Sequence, residues 1–120
     1  MYDYISDFKE ELAAVMNDGK WGFIDKFGKE VIPCIYDLVK SFNKGLAVVK
    51  NYDKWGLIDK VGNLVIPCMY DLIGTFYDGV AYIEKDGKYG CVDETGRELI
   101  SCIHDVEDLF ADMKDNSQDG

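Results

Sequence analysis

The 120 residues are expected to fold as an all-β protein, a solenoid-like stack of antiparallel β-meanders with a 34-residue period. The first reason is a motif present three times. Lys20-Trp21-Gly22-Phe23-Ile24-Asp25, Lys54-Trp55-Gly56-Leu57-Ile58-Asp59 and Lys88-Tyr89-Gly90-Cys91-Val92-Asp93 follow one another at 34-residue spacing, without insertion. A fixed period of this size signals a modular architecture, in which each unit buries its apolar face against a neighbour. The second reason is the texture between the motifs. Apolar runs are short and rich in Val, Ile, Tyr and Trp, and Gly recurs among them together with Pro33 and Pro67. That is strand and turn chemistry. Helical repeats of the same length need apolar spacings of three and four without recurrent breakers, so a helical array is excluded. A closed barrel or propeller-like ring is the alternative arrangement of the same meanders.

The repeat begins upstream of the Trp-Gly motif. Tyr2-Asp3 aligns with Tyr36-Asp37, Tyr70-Asp71 and His104-Asp105, and Phe8 aligns with Phe42, Phe76 and Phe110. Three full units, about 2–35, 36–69 and 70–103, and a partial fourth over 104–113 make one β domain spanning 1–113. In the fourth, Met113 stands where Gly45 and Gly79 stood. Residues 114–120 are a polar tail expected to be disordered.

The middle unit shows the elements in order. A first strand, Leu46 to Lys50, leads through a turn at Asn51-Tyr52-Asp53 into a second strand, Trp55 to Asp59. The turn Asp59-Lys60-Val61-Gly62 then opens a third strand, Leu64 to Ile66. Asp at its start and Gly at its end fit a type I turn closed by a left-handed bulge residue. Asp25 with Gly28 and Asp93 with Gly96 repeat the arrangement. The stretch from Tyr70 to Phe76 crosses to the next unit as a short irregular strand or a helical turn. Strand alternation puts Ala47 with Val49, and Ala81 with Ile83, on a core face. The second strand is apolar on both faces, so both must be covered. Gly beside the aromatic residue predicts a neighbouring ring lying over the backbone.

The formal charge of −10 is uneven. Asp3, Asp7, Glu10 and Glu11 outweigh Lys9 at the start, and Asp105, Glu107, Asp108, Asp112, Asp115 and Asp119 outweigh Lys114 at the end. A nucleic-acid binder needs a basic face, which this balance does not provide. No apolar run approaches the about 18 residues of a membrane span. Met1 to Asp7 is acidic and lacks the basic-then-apolar layout of a signal peptide, so a cytoplasmic monomer is expected. Cys34, Cys68 and Cys102 recur once per unit. With three strands per unit, equivalent positions lie about 14 Å apart, too far for a disulfide or a shared ion. Reduced, structural cysteines and no cofactor are expected.

Lys54-Trp55-Gly56-Leu57-Ile58-Asp59, Gly62, Val65-Ile66-Pro67, Tyr70-Asp71, Phe76, Gly79 and Ala81 resemble the WG-repeat family of bacterial β-repeat proteins. The resemblance covers residues 2 to about 110. The third copy departs from it, with Tyr89 for Trp, Ser101 for Pro and His104 for Tyr. The resemblance implies a binding or scaffold module and carries over no catalytic residue.

His104, the lone histidine, replaces Tyr36 and Tyr70, which repeat drift explains without catalysis. Asp25, Asp59 and Asp93 offer one carboxylate per turn, whereas calcium wants about six to eight converging oxygens, so they read as turn caps. Tyr52, Tyr77 and Tyr82 are different. Each is Tyr in one unit only, at positions held elsewhere by Asp18 and Asp86, by Asn43, or by Ala14 and Val48. Residues outside the shared scaffold are candidates for partner binding, and Tyr is favoured at interfaces. Asp108, Asp112 and Asp115 are the second candidate set, serving either a basic partner or the capping of an open array. The expected function is a non-enzymatic protein-interaction or scaffold module. An acidic immunity protein masking a basic toxin or enzyme is the alternative within binding, and an enzyme is the alternative from another class.

Overall fold

The computed structural model describes residues 2–104, and every regular element among them is a β-strand. The first repeat contributes β1 (Tyr4–Ile5), β2 (Leu12–Asn17), β3 (Lys20–Asp25) and β4 (Glu30–Tyr36). The second contributes β5 (Leu38–Val39), β6 (Leu46–Asn51), β7 (Lys54–Asp59) and β8 (Leu64–Tyr70). The third contributes β9 (Leu72–Ile73), β10 (Val80–Lys85), β11 (Lys88–Asp93) and β12 (Glu98–His104). Each set forms one four-stranded sheet with strands side by side in chain order. The sheets are open, with two edges each, which sets the closed barrel aside. The chain divides into two compact units, Met1–Met69 and Tyr70–Gly120.

Two features add to the three-stranded meander, the first of them the short-strand form expected for the crossing stretch. The crossing stretch is a two-residue strand that opens the next sheet; Leu72 and Ile73 pair with Glu84 and Ile83. The last strand also runs through its proline, to Tyr36 and to Tyr70. It can do so because it is an edge strand, where a missing N–H leaves no ladder partner unpaired.

That last strand is bent by bulges. Trp21 faces Tyr36, Phe23 faces Ile32 and Ile24 faces Glu30, so β4 carries extra residues against β3. The bend presses a carbonyl onto the motif glycine. A Cβ on Gly22 would lie 2.3 Å from the Ile32 oxygen and 2.7 Å from the Pro33 carbonyl. Gly56 and Gly90 meet the oxygens of Ile66 and Ile100 in the same way, at 2.6 and 2.2 Å. The expected covering ring is therefore corrected: backbone of the same sheet covers the glycine, because the bulged edge strand folds over it.

The turn from β7 to β8 has the predicted chemistry. Gly62 sits at φ 94°. Its N–H donates to the Asp59 carbonyl at 3.1 Å, and Asp59 Oδ1 accepts from the N–H groups of Val61 and Asn63 at 3.0 and 2.9 Å. Asp25 holds Phe27 and Lys29 alike, and Asp93 holds Thr95 and Arg97.

In the first unit both sheet faces are buried, as strand alternation required. Leu12, Ala14, Phe23, Ile32 and Tyr36 of the first sheet form one core with Phe42, Ala47, Val49 and Ile58 of the second repeat. Phe42 meets Phe23 edge-to-face, with centroids 4.7 Å apart. Each such ring contributes about 1.5–3 kcal/mol by burial. The opposite face, Ala13, Val15 and Ile24, is covered by Tyr2 and Cys34. Glu10 adds a polar tie, its carboxylate accepting from the N–H groups of Lys44 and Gly45 in the equivalent turn of the second repeat. In the second unit Ile73, Ala81, Ile83, Cys91 and Val92 are buried.

Candidate functional site

Tyr52 occupies the tip of the β6–β7 hairpin. Two-residue hairpin turns of type I′ need positive φ at both central residues, which favours Asn, Asp and Gly there. The other repeats comply with Asp18-Gly19 and Asp86-Gly87. Here Tyr52 and Asp53 take the same geometry, at φ 52° and 68°. A bulky aromatic in the left-handed region is an outlier with a conformational cost. Asp37 holds the turn from outside, its Oδ2 accepting from the Tyr52 N–H at 3.1 Å. The Lys20 ammonium pairs with the other Asp37 oxygen and holds this carboxyl below its usual range, opposed by slight desolvation and aided by the Tyr52 N–H. The clamp acts on backbone alone, and the Tyr52 ring is 88% exposed.

Tyr77 lies at the turn before β10. Tyr77 and Val80 exchange backbone hydrogen bonds of 2.9 and 3.1 Å around Asp78 and Gly79, both at positive φ. Its ring is 86% exposed. Tyr82 stands on β10 opposite Cys91 of β11. With Thr75 and Val80, these residues line a shallow depression in the second unit. The hollow has a sequence cause. Cys91 stands where Phe23 and Leu57 stand in the other repeats, and the ring has moved across the strand pair to Tyr82, where Ala14 and Val48 stand. Thus Tyr77 and Tyr82 come together, while Tyr52 belongs to the first unit. Asp108, Asp112 and Asp115, the partial fourth repeat beyond His104 and the tail 114–120 lie outside the described residues.

The repeated carboxylates are structural. Desolvation opposes ionisation of Asp59, but hydrogen bonds from Asn63, Val61 and Gly62 outweigh it and hold its carboxyl below the usual range. The Thr95 hydroxyl does the same for Asp93, with the Arg97 and Thr95 N–H groups assisting against desolvation. Asp3 and Asp71 accept from the N–H groups of Asp18 and Asp86, as Asp37 does from Tyr52. His104 ends β12 in register with Tyr89, as Tyr36 is with Trp21, which agrees with repeat drift.

Cys34, Cys68, Cys91 and Cys102 are free thiols. Burial pushes all four above the ordinary thiol value, with Glu30 adding to the effect at Cys34 and Glu98 at Cys102. A thiol kept protonated is a poor nucleophile and a poor metal ligand. Among the described residues no group of three or more His, Cys, Asp or Glu is placed to hold a metal ion.

Two features escaped the reading of the sequence. Phe27 and Val61 are 85% and 69% exposed at equivalent turn positions; their place between the capping Asp and the left-handed Gly was the available signal. Tyr70 donates its hydroxyl to Glu98 at 2.7 Å, and Tyr2 to Glu30 at 3.3 Å. The shared 28-residue separation was visible in the sequence, but the second repeat has Leu64 in place of the acid.

Comparison with known protein families finds one match. The family described as WG containing repeat matches residues 1–21, 21–55 and 55–89. No curated protein and no solved structure matches the chain.

Proposed function

The chain belongs to the WG-repeat family, and from that premise we propose that it is a non-enzymatic protein-binding module, with exposed tyrosines on an all-β scaffold as its contact residues. One observation carries this reading. Tyr52 and Tyr77 are almost fully exposed on turns, at positions where the other repeats manage without an aromatic residue. Tyr supplies a large, rigid, amphipathic contact at low entropic cost, which is why interfaces are enriched in it. Within the first unit, the packing of one sheet on the next repeat is the geometry that a solenoid-like scaffold repeats. The partner is another protein. With a net charge of −10, a basic partner would be met faster through long-range attraction, which is also how an acidic inhibitor would work.

The test separates binding from folding. Full-length protein and the variants Tyr52→Asn and Tyr77→Asn are used to capture partners from the native cell, and their melting temperatures are measured. The expected result is loss of the captured partner with melting temperature unchanged or raised, since Asn suits a left-handed turn better than Tyr. Undiminished capture by both variants refutes the reading.

A further inference from the structure

We propose that the second repeat binds an acidic segment of the partner protein, with the ammonium groups of Lys40 and Lys50 as its receiving charges. This deepens the binding reading and rests on it. Charge is the first sign. The second repeat, 36–69, carries five lysines against three aspartates and is net positive. The first, 2–35, has seven acids against four lysines, and the third, 70–103, has seven against two lysines and an arginine. One basic repeat thus belongs to a chain of net charge −10. The second sign is where two of its lysines lie. Lys40 Nζ is 5.4 Å and Lys50 Nζ 5.3 Å from the centre of the Trp55 ring. Neighbouring strands hold them there. Lys50 of β6 faces both Trp55 of β7 and Leu38 of β5, and the Lys40 N–H donates to the Val48 carbonyl at 2.9 Å.

Neither lysine belongs to the shared scaffold. Ser6 and Gly74 stand at the place of Lys40, and Met16 and Glu84 at that of Lys50. In the first repeat Tyr4 packs on Trp21 instead. The carboxylates of the second repeat leave the two charges largely in place. Asp37 is held by Lys20 and by the Tyr52 N–H, and Asp59 by its own turn. Asp53 reaches Lys50 at 3.4 Å, but its side chain is 92% exposed, which makes a weak surface pair. Lys40 has no carboxylate at ion-pair distance among the described residues. An aromatic face positions an ammonium without cancelling its charge. Two such charges about one scaffold ring suit Glu or Asp side chains of one short segment. Tyr52, two residues beyond Lys50, adds an aromatic contact beside them. The overall charge speeds the approach of a basic partner, and the second repeat selects an acidic stretch on it.

Isotope-labelled full-length protein titrated with capped hexaglutamate provides the test. Its two tryptophans give two indole N–H signals, assigned with Trp21→Phe. The Trp55 signal is expected to shift saturably while that of Trp21 stays in place, and the apparent affinity should fall as salt is raised from about 50 to 300 mM. Lys40→Gln should weaken binding about fivefold, the worth of one exposed ion pair, and Lys40→Gln with Lys50→Gln should abolish the shift. Unchanged melting temperatures show that these variants still fold. No shift with millimolar hexaglutamate, an equal shift with capped hexalysine or hexaglutamine, or undiminished binding by the double variant would each overturn the proposal. Inorganic phosphate acting as strongly as hexaglutamate would overturn the assignment to an acidic peptide segment. A silent titration combined with loss of capture by Tyr52→Asn removes this inference and leaves the partner reading standing.

Discussion

Replacing Gly22 by Ala and, separately, Gly28 by Ala tests the central physical claim about these sheets. The two glycines lie on one hairpin, and the two substitutions fail for different reasons. Gly28 is at φ 84° with nothing within 4 Å of the point where a Cβ would lie, so Ala there meets only backbone strain, about 1–2 kcal/mol. Gly22 lacks that strain but has no room. A new methyl group would sit 2.3 Å from the Ile32 oxygen, against an ordinary carbon–oxygen approach of about 3.3 Å. The obstacle is main chain held by the β3–β4 ladder, so it cannot rotate aside as a side chain would. Either the edge strand moves by about 1 Å and β3–β4 pairing is lost, or the core under Phe23 and Ile32 opens. Either way the cost should be about 3 kcal/mol or more, at the top of the range for overpacking. For a domain of this size that is a fall of about 10–20 °C in melting temperature. Urea titration of the full-length protein measures it, with m-values checked for a change in the unfolded state. The expected order is Gly22→Ala much worse than Gly28→Ala, with Gly28→Asn nearly harmless. Equal effects of the two alanines would refute the close-approach account of the Trp-Gly motif.

Asp59→Ala should cost about 1–2 kcal/mol at pH 7, from the turn hydrogen bonds it forfeits. Because the Asp59 carboxyl is held below its usual range, its contribution is present above the unfolded value of about 3.9 and fades as pH falls through the folded value. The gap between variant and parent should therefore close in acid, and a gap constant down to pH 2 would contradict the capping role. Tyr70 behaves in the opposite sense: burial first, then its hydrogen bond to Glu98, push the phenol well above its usual value. Its contribution is complete below about pH 10 and is lost as pH rises towards the folded value. Tyr70→Phe should abolish this part of the alkaline destabilisation, and an unchanged alkaline limb would exclude Tyr70 as its source. The mass of protein kept unreduced should correspond to four free thiols, and native alkylation at pH 7.5 should run about tenfold or more below that of an unhindered thiol. Fast labelling of Cys34, Cys68 or Cys102 would show them more open than their burial implies.

The strands and turns were legible because their causes are local. Asp25 with Gly28 and Asp59 with Gly62 announce a turn through residues that satisfy it within four positions. Alternation along Leu12 to Val15 and the apolar run Phe23-Ile24 showed that both faces need cover. The crossing stretch was open between a short irregular strand and a helical turn, because two residues such as Leu38 and Val39 have too short a pattern to decide, and their pairing with Lys50 and Val49 makes them a strand. The bulged course of β4 was hidden for a different reason. Gly22 records that something approaches closely, but not whether a ring or a carbonyl does so. Among the candidate residues, the singularity of Tyr52 and Tyr77 marked them, while their exposure depends on turn geometry that spans several residues. Tyr82 looked equivalent in sequence, yet its strand partner Cys91 gives it a different setting.

The proposed role of Tyr52 in partner binding agrees with how its turn is built. The turn backbone is fixed by groups other than the ring. The Asp37 carboxylate holds the Tyr52 N–H, Lys20 holds Asp37, and the ladder from Leu46–Asp59 to Asn51–Lys54 fixes the register. Asp18-Gly19 and Asp86-Gly87 make the same turn without an aromatic residue and with less conformational cost. The ring buries little, since 88% of the residue is exposed, so folding gains almost nothing from it. That Tyr52 strains the backbone, contributes no core and displaces a better turn former supports the proposed role in contacting a partner. The same reasoning exempts Trp21, which packs against Tyr4 with ring centroids 5.4 Å apart and sits among the residues bordering the core. The signature tryptophan is therefore scaffold, and the tyrosines that interrupt the repeat are where recognition should be sought.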